Sequence, residues 1–265
     1  MNTVATGNTP FQHIVRLADV QMYFGNIHAL KDIHLAVGPN EVVGLIGDNG
    51  AGKSTLIKII SGVHRPTAGR VFIRDQPVDF TDFSVTMAHA LRIETVHQDK
   101  SLGEKQPLWR NMFVGRQIVN RWGFIDVKRE KQIANQLLLD TIGFRGAGID
   151  ADSTVGQLSG GERQGIAIAR AMYFDADLII LDEPTAALGI KEVRKVLNFV
   201  ADIKTRGRAC IYIEHNLAHV HELADRLIVL DRGEIVNDIR PSDMNLAELT
   251  RYLLDLQARR ERGVA

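Results

Sequence analysis

The sequence is poor in cysteine and in net charge. It holds 1 Cys, and Lys+Arg and Asp+Glu both number 32 in 265 residues. A single cysteine excludes a disulfide framework and any Cys-rich zinc module. Cys210 lies in Ala209-Cys210-Ile211-Tyr212-Ile213. That apolar run reads as a buried strand, so the thiol is core packing and fits a reducing cytoplasm. Balanced charge gives no global field toward DNA, RNA or anionic lipid, and no nucleic-acid partner is expected. No apolar run approaches the roughly 20 residues needed to span a bilayer. Any membrane role must then come through a partner. Met1 to Pro10 is polar and lacks the charged-then-apolar layout of a secretory leader, so none is predicted.

What is present centres on Gly47-Asp48-Asn49-Gly50-Ala51-Gly52-Lys53-Ser54-Thr55. This fits G-x-x-x-x-G-K-[ST], the phosphate-binding P-loop. The run Glu41 to Ile46 before it reads as a buried strand. Leu56, Ile59 and Ile60 after it recur at helical spacing until Gly62. The glycines let backbone N–H groups turn inward around phosphate oxygens, and the new helix adds its positive end. Lys53 is expected at the β- and γ-phosphates and Ser54 on magnesium.

Strands alternate with helices on both sides of this loop, which predicts an α/β fold with a mostly parallel sheet. Residues 12–98 read as an antiparallel β subdomain plus the P-loop part of an ATPase core. Residues 99–158 read as an inserted helical subdomain, and 159–265 as the rest of the core with a C-terminal helix. Ligands of such sheets bind at the carboxyl ends of strands. Leu178-Ile179-Ile180-Leu181 is a continuous apolar strand ending in Asp182-Glu183. Asp182 has the position for magnesium, directly or through water, and Glu183 for orienting or deprotonating the attacking water. Gln98, at another strand end, could reach both magnesium and that water. His215, also at a strand end, could donate to the γ-phosphate. His97, His219 and His221 are assigned structural roles.

A second anion site is predicted at Leu158-Ser159-Gly160-Gly161-Glu162, where small residues and a hydroxyl stand at a helix start. One nucleotide does not need two γ-phosphate cradles. The economical solution gives the second site to the nucleotide of another copy, in a two-fold, head-to-tail homodimer formed on ATP binding.

The order P-loop, Gln98, LSGGE, Leu178–Glu183, His215 resembles the ATP-binding cassette (ABC) ATPases over about residues 12–235. The resemblance implies a P-loop NTPase with a RecA-like sheet, ATP and Mg2+ as cofactors, and Phe24 stacking on adenine, with Tyr23 as the fallback. Tyr23-Phe24-Gly25-Asn26, Gly44 to Gly50, Ile93 to Asp99 and Thr185 to Gly189 are similar to the ribose/xylose/fructose type of bacterial sugar importer. That implies integral membrane permease subunits contacting residues 99–156, with Trp109, Met112, Phe113 and Trp122 as candidates for contact or core. It further implies a periplasmic sugar-binding protein and a peripheral place on the cytoplasmic face of the inner membrane. Branched-chain amino-acid importers carry similar cassettes, and soluble ABC ATPases act on nucleic acid or ribosomes. Two departures stand out: Gly189 replaces the family's usual Asp, and Glu162 replaces the commoner Gln.

Overall fold

The computed structural model describes residues 11–96, 102–139, 149–186 and 188–261. Two sheets frame the molecule. Strands β1 (Val15–Phe24), β2 (Ile27–Val37), β4 (Ala68–Ile73) and β5 (Gln76–Pro77) form an antiparallel sheet in the order β2-β1-β4-β5. Strands β3 (Val42–Ile46), β6 (Ile93–Val96), β7 (Leu178–Asp182), β8 (Ala209–Ile213), β9 (Arg226–Asp231) and β10 (Glu234–Ile239) form the second, in the order β10-β9-β3-β8-β7-β6. All pairs from β9 to β6 are parallel, and only β10 joins antiparallel.

Strands β3 and β8 carry no charged residue, and β7 none before its final Asp182, because both faces of the sheet are covered. Val43 and Leu45 of β3 join Leu178 and Ile180 of β7 in a core shared with the antiparallel sheet and helix α1 (Lys53–Ile60). Val42 and Ile46 join Ile179, Leu181, Cys210 and Tyr212 on the opposite face. That face packs against α5 (Gly160–Tyr173), α6 (Ile190–Thr205), α7 (Leu217–Leu223) and α8 (Leu246–Glu261). Helix α7 sits so close to the P-loop strand that a Cβ on Gly44 would come 2.3 Å from Val220 Cγ1. Ahead of β6 lies α2 (Val85–Ala90), with Ser84 accepting from the Met87 N–H.

A third core belongs to the helical lobe. It combines α3 (Leu108–Phe113), α4 (Val127–Leu137), Val155, Leu158, and Ile166 and Ala169 of α5. Asp126 caps α4, accepting from the Arg129 N–H at 3.0 Å. Met112 and Phe113 are each 1 % exposed and Trp109 is 8 %, so these three are core, while Trp122 is 71 % exposed. The lobe is tied to the sheet by Glu94 of β6, which accepts from His89 at 3.0 Å and from Arg116 at 2.6 Å. Among the described residues no helix is long and apolar enough to cross a membrane.

Candidate active site

The P-loop leaves β3 and winds into α1 with three glycines at positive φ: Gly47 at 150°, Gly50 at 81° and Gly52 at 109°. Two of these positions are also crowded. A Cβ on Gly47 would stand 2.2 Å from the Leu230 carbonyl oxygen, and one on Gly52 2.9 Å from that of Ala29. Gly50 has open space on its side; only its conformation demands glycine. Lys53 curls back, its Nζ donating to the carbonyls of Gly47 at 2.6 Å and Asp48 at 3.0 Å. Burial pushes its ammonium below the usual lysine range, opposed by the charges of Glu183, Asp48 and Asp182.

The loop opens on a cleft of about 440 Å³, whose walls include Asn49, Ser54, Thr55, Glu183 and Arg232. The β1–β2 hairpin contributes Ile27 and His28. Phe24 stands beside this wall, 42 % exposed, with its ring edge-on to His64 at 5.4 Å. Tyr23 stacks flat on His28 at 3.9 Å, so the hairpin mouth presents two aromatic edges rather than one.

Glu183 follows β7 with φ at 50°, a left-handed conformation that costs a glutamate about 1–3 kcal/mol. Its N–H donates to the Ile213 carbonyl at 3.0 Å, which turns the carboxylate into the cleft. There its Oε1 lies 2.7 Å from His215 Nε2. Two residues absent from the sequence reading hold this pair. Glu214, 7 % exposed, accepts from the His215 N–H at 2.8 Å and from the Thr185 hydroxyl. It thereby staples the turn after β7 to the turn after β8. Its place beside His215 at a strand end was the available signal. Asn216 then caps α7 by accepting from the Ala218 N–H at 3.0 Å, fixing the chain on the other side of His215.

His219 meets Asn216 and His221 meets the Met244 carbonyl, in line with their structural assignment. Gln98 and His97 lie outside the described residues.

The LSGGE stretch is elsewhere. Ser159 caps α5 in a capping box: its hydroxyl accepts from the Glu162 N–H at 3.3 Å, and Glu162 accepts from the Ser159 N–H at 2.7 Å. Glu162 thus closes the cap. Leu158 anchors the stretch in the helical-lobe core. A separate 110 Å³ hollow lies between Ser159, Gly161 and Glu162 on one side and Glu192 and Lys195 on the other. A Cβ on Gly161 would stand 2.1 Å from Glu192 Cγ, and one on Gly189 2.6 Å from Glu192 Oε2. Glu192 therefore fills the space beside Gly189. None of the five LSGGE residues lines the P-loop cleft.

A family model described as ABC transporter matches residues 30–186. The chain belongs to the ABC transporter family. It is 40 % identical over 240 residues to the xylose/arabinose import ATP-binding protein XylG of Sulfolobus acidocaldarius, covering 91 % of this chain and 93 % of that one. It is 37 % identical over 241 residues to the fructose import ATP-binding protein FrcA of Rhizobium meliloti, covering 87 % and 89 %. A solved dimer of the ATP-binding cassette MJ0796 with ADP and Pi superposes with a TM-score of 0.71 at 25 % identity, over 86 % of this chain and 98 % of that chain. The fold is thus that of an ABC ATPase, and the chain is an ATP-hydrolysing enzyme.

An ABC ATPase needs a divalent cation on its triphosphate. Ser54 opens α1 and Glu183 faces the same cleft, with Asp182 one residue before it at the end of β7. These are hard oxygen donors. Among the described residues no group of three or more His, Cys, Asp or Glu forms a cage. Few protein ligands, completed by phosphate and water, suit Mg2+.

Proposed function

We propose that this ABC ATPase energises an importer of a simple sugar, working as a head-to-tail homodimer on integral membrane permease subunits. The observation that carries the reading is the division of the site. The P-loop cleft is lined by Glu183, whose carboxylate lies 2.7 Å from His215, while Ser159 and its glycines stand outside that cleft. Each half is incomplete within one chain, and a second copy completes it.

In this reading Gly47 to Thr55 cradle the triphosphate and Lys53 shifts its donors from the Gly47 and Asp48 carbonyls to the β- and γ-phosphates. Phe24 covers adenine. Ser54, Asp182 and Gln98 would hold Mg2+, which would supply charge neutralisation on the triphosphate. Glu183 orients the attacking water and takes its proton, and His215 donates to the γ-phosphate and holds Glu183 in place. The partner's Ser159 hydroxyl and the α5 amides close over the γ-phosphate from the other side.

Sugar import is supported by the names of the relatives, xylose/arabinose and fructose import ATP-binding proteins. A periplasmic sugar-binding protein would then load the permease, and this chain would sit peripherally on the cytoplasmic face of the inner membrane. The helical lobe is the side offered to the permease, through exposed residues such as Trp122. Steady-state phosphate release tests the assignment. Glu183→Gln is expected to stop turnover while ATP still binds. A variant that hydrolyses normally would remove Glu183 from its role. For the substrate class, membranes carrying the assembled transporter should hydrolyse ATP faster with a sugar-loaded binding protein than with one loaded with an amino acid.

A further inference from the structure

Among the described residues, three arginines occupy positive φ in tight turns: Arg74 at 50°, Arg92 at 66° and Arg232 at 46°. That conformation is unfavourable for a residue with a long side chain, so each position invites a reason. Two of the three are held by ion pairs. Arg74 pairs with Asp177, and Arg92 with Asp175 and Asp177. Arg232 makes no hydrogen bond or ion pair with a described residue, and it lines the P-loop cleft.

The turn that carries Arg232 is fixed on both sides. The Gly233 N–H donates to the Ala51 carbonyl of the P-loop at 2.9 Å, and the Gly233 carbonyl accepts from the Lys31 N–H of β2 at 2.7 Å. A Cβ on Gly233 would come 2.6 Å from the Ala29 carbonyl oxygen, so the hairpin is pressed onto the β2 strand. The backbone next to Arg232 is therefore pinned to both the P-loop and β2. The neighbouring cations are occupied: Lys31 donates to Glu234 at 2.9 Å, and Lys53 to two loop carbonyls. Sheet order sets the direction. β9 flanks β3 on one side, while β8 and β7, which deliver His215 and Glu183, flank it on the other. Arg232 thus lines the cleft from the β9 side and Glu183 from the β7 side.

We propose that Arg232 is a nucleotide-binding residue that contacts the α-phosphate and ribose end of ATP. The assignment rests on the proposed function, because it presumes that this cleft takes the nucleotide. A planar guanidinium suits phosphate oxygens, and one charge-assisted contact at a half-open site contributes on the order of tenfold in affinity.

The test is equilibrium binding of ATP and of ADP, with steady-state hydrolysis, for Arg232→Ala, Arg232→Lys and Lys53→Ala beside the wild type. Arg232→Ala should weaken ATP and ADP by the same factor, about tenfold. The loss should appear in KM for ATP rather than in kcat, and Arg232→Lys should recover part of it. Unchanged ATP affinity in Arg232→Ala, with Lys53→Ala strongly impaired, overturns the Arg232 assignment and leaves the cleft standing. Weakened ATP with unchanged ADP would put the contact at the γ-phosphate and equally overturns it. Lys53→Ala binding nucleotide as well as the wild type would instead remove the reading of the cleft. An unshifted Tm without nucleotide is expected for Arg232→Ala, since the side chain has no described partner to lose.

Discussion

The Gly47–Thr55 loop and the Leu158–Glu162 stretch are both glycine-rich starts of helices, yet they are built differently. The first is enclosed. Leu230 and Ala29 crowd its glycines, the Lys53 ammonium is turned inward, and Glu183 faces it across a cleft of about 440 Å³. The second is self-sufficient at its cap, and it lies outside the cleft that Glu183 lines. Its Ser159 and Glu162 satisfy each other, and its nearest neighbour is Glu192. A helix start finished as a cap and left open outward is suited to an anion brought by another molecule. In the proposed reading the first stretch is one half of a nucleotide site and the second is the surface that completes the same half in another copy.

Substitutions can break this comparison at either end. The largest effect is expected at the enclosed site. Glu183→Gln should lower the hydrolysis rate by about 10²–10⁴-fold, the usual worth of a positioned general base, with ATP binding retained. Phosphate release and nucleotide binding measured on the same preparation separate the two. At the open site, Ser159→Arg should leave ATP binding by the monomer intact and reduce hydrolysis by roughly 10²-fold, as for loss of a transition-state donor. If Ser159→Arg also abolished binding by the monomer, the two stretches would be one site within the chain.

A smaller effect is expected at the joint that orients one region against the other. Glu94 is 2 % exposed. Burial alone would raise its pKa, but the bonds from His89 and Arg116 outweigh that and hold it below the usual carboxylate value. A depressed carboxylate contributes stability above its unfolded pKa, and the contribution fades as pH falls through the folded value. Glu94→Ala strands Arg116 and should cost about 3–5 kcal/mol in chemical denaturation near neutral pH, and less in acid. An unchanged midpoint would remove this ion pair from the link between sheet and helical lobe.

The smallest effect is within the lobe. Burial raises the pKa of Glu130, against the Ile118 N–H bond to its Oε1 at 2.7 Å and with the nearby Asp126 charge adding to the rise. A raised carboxylate contributes its stability below the unfolded pKa and loses it as pH rises through the folded one. Glu130→Gln mimics the protonated form. It should melt higher than the wild type at pH 8 and alike at pH 4. The opposite order would mean that the carboxylate is ionised and welcomed there.

Much of this was legible in the sequence because it is local. The P-loop, the helix start at Ser159 and the apolar strands are each specified within a few residues, and all appear where expected. The misses are where partners come from afar. Tyr23–Asn26 reads as a turn, but the strands run on to Phe24 and from Ile27, since Tyr23 and His28 stack across the hairpin. Strand β10 was not foreseen; its alternating exposure, with charged Glu234 and Asp238, hides an edge strand among polar residues. Trp109, Met112 and Phe113 suggest a surface as readily as a core until α4 and α5 are seen to cover them. Glu214, Thr185 and Arg232 acquire their places only through the order of strands in the sheet. Gly189, a departure from the family pattern, reads as a missing carboxylate in the sequence, whereas in the fold Glu192 Oε2 occupies the space beside it.

The central claim is that a complete hydrolytic site needs two copies of the chain. Sedimentation of Glu183→Gln with and without Mg-ATP tests it most directly. The expected result is a monomer without nucleotide and a dimer holding one ATP per chain with it, the dimer being lost when Ser159→Arg is added. A species that binds ATP yet remains monomeric at every concentration, or a dimer indifferent to Ser159→Arg, would contradict the account.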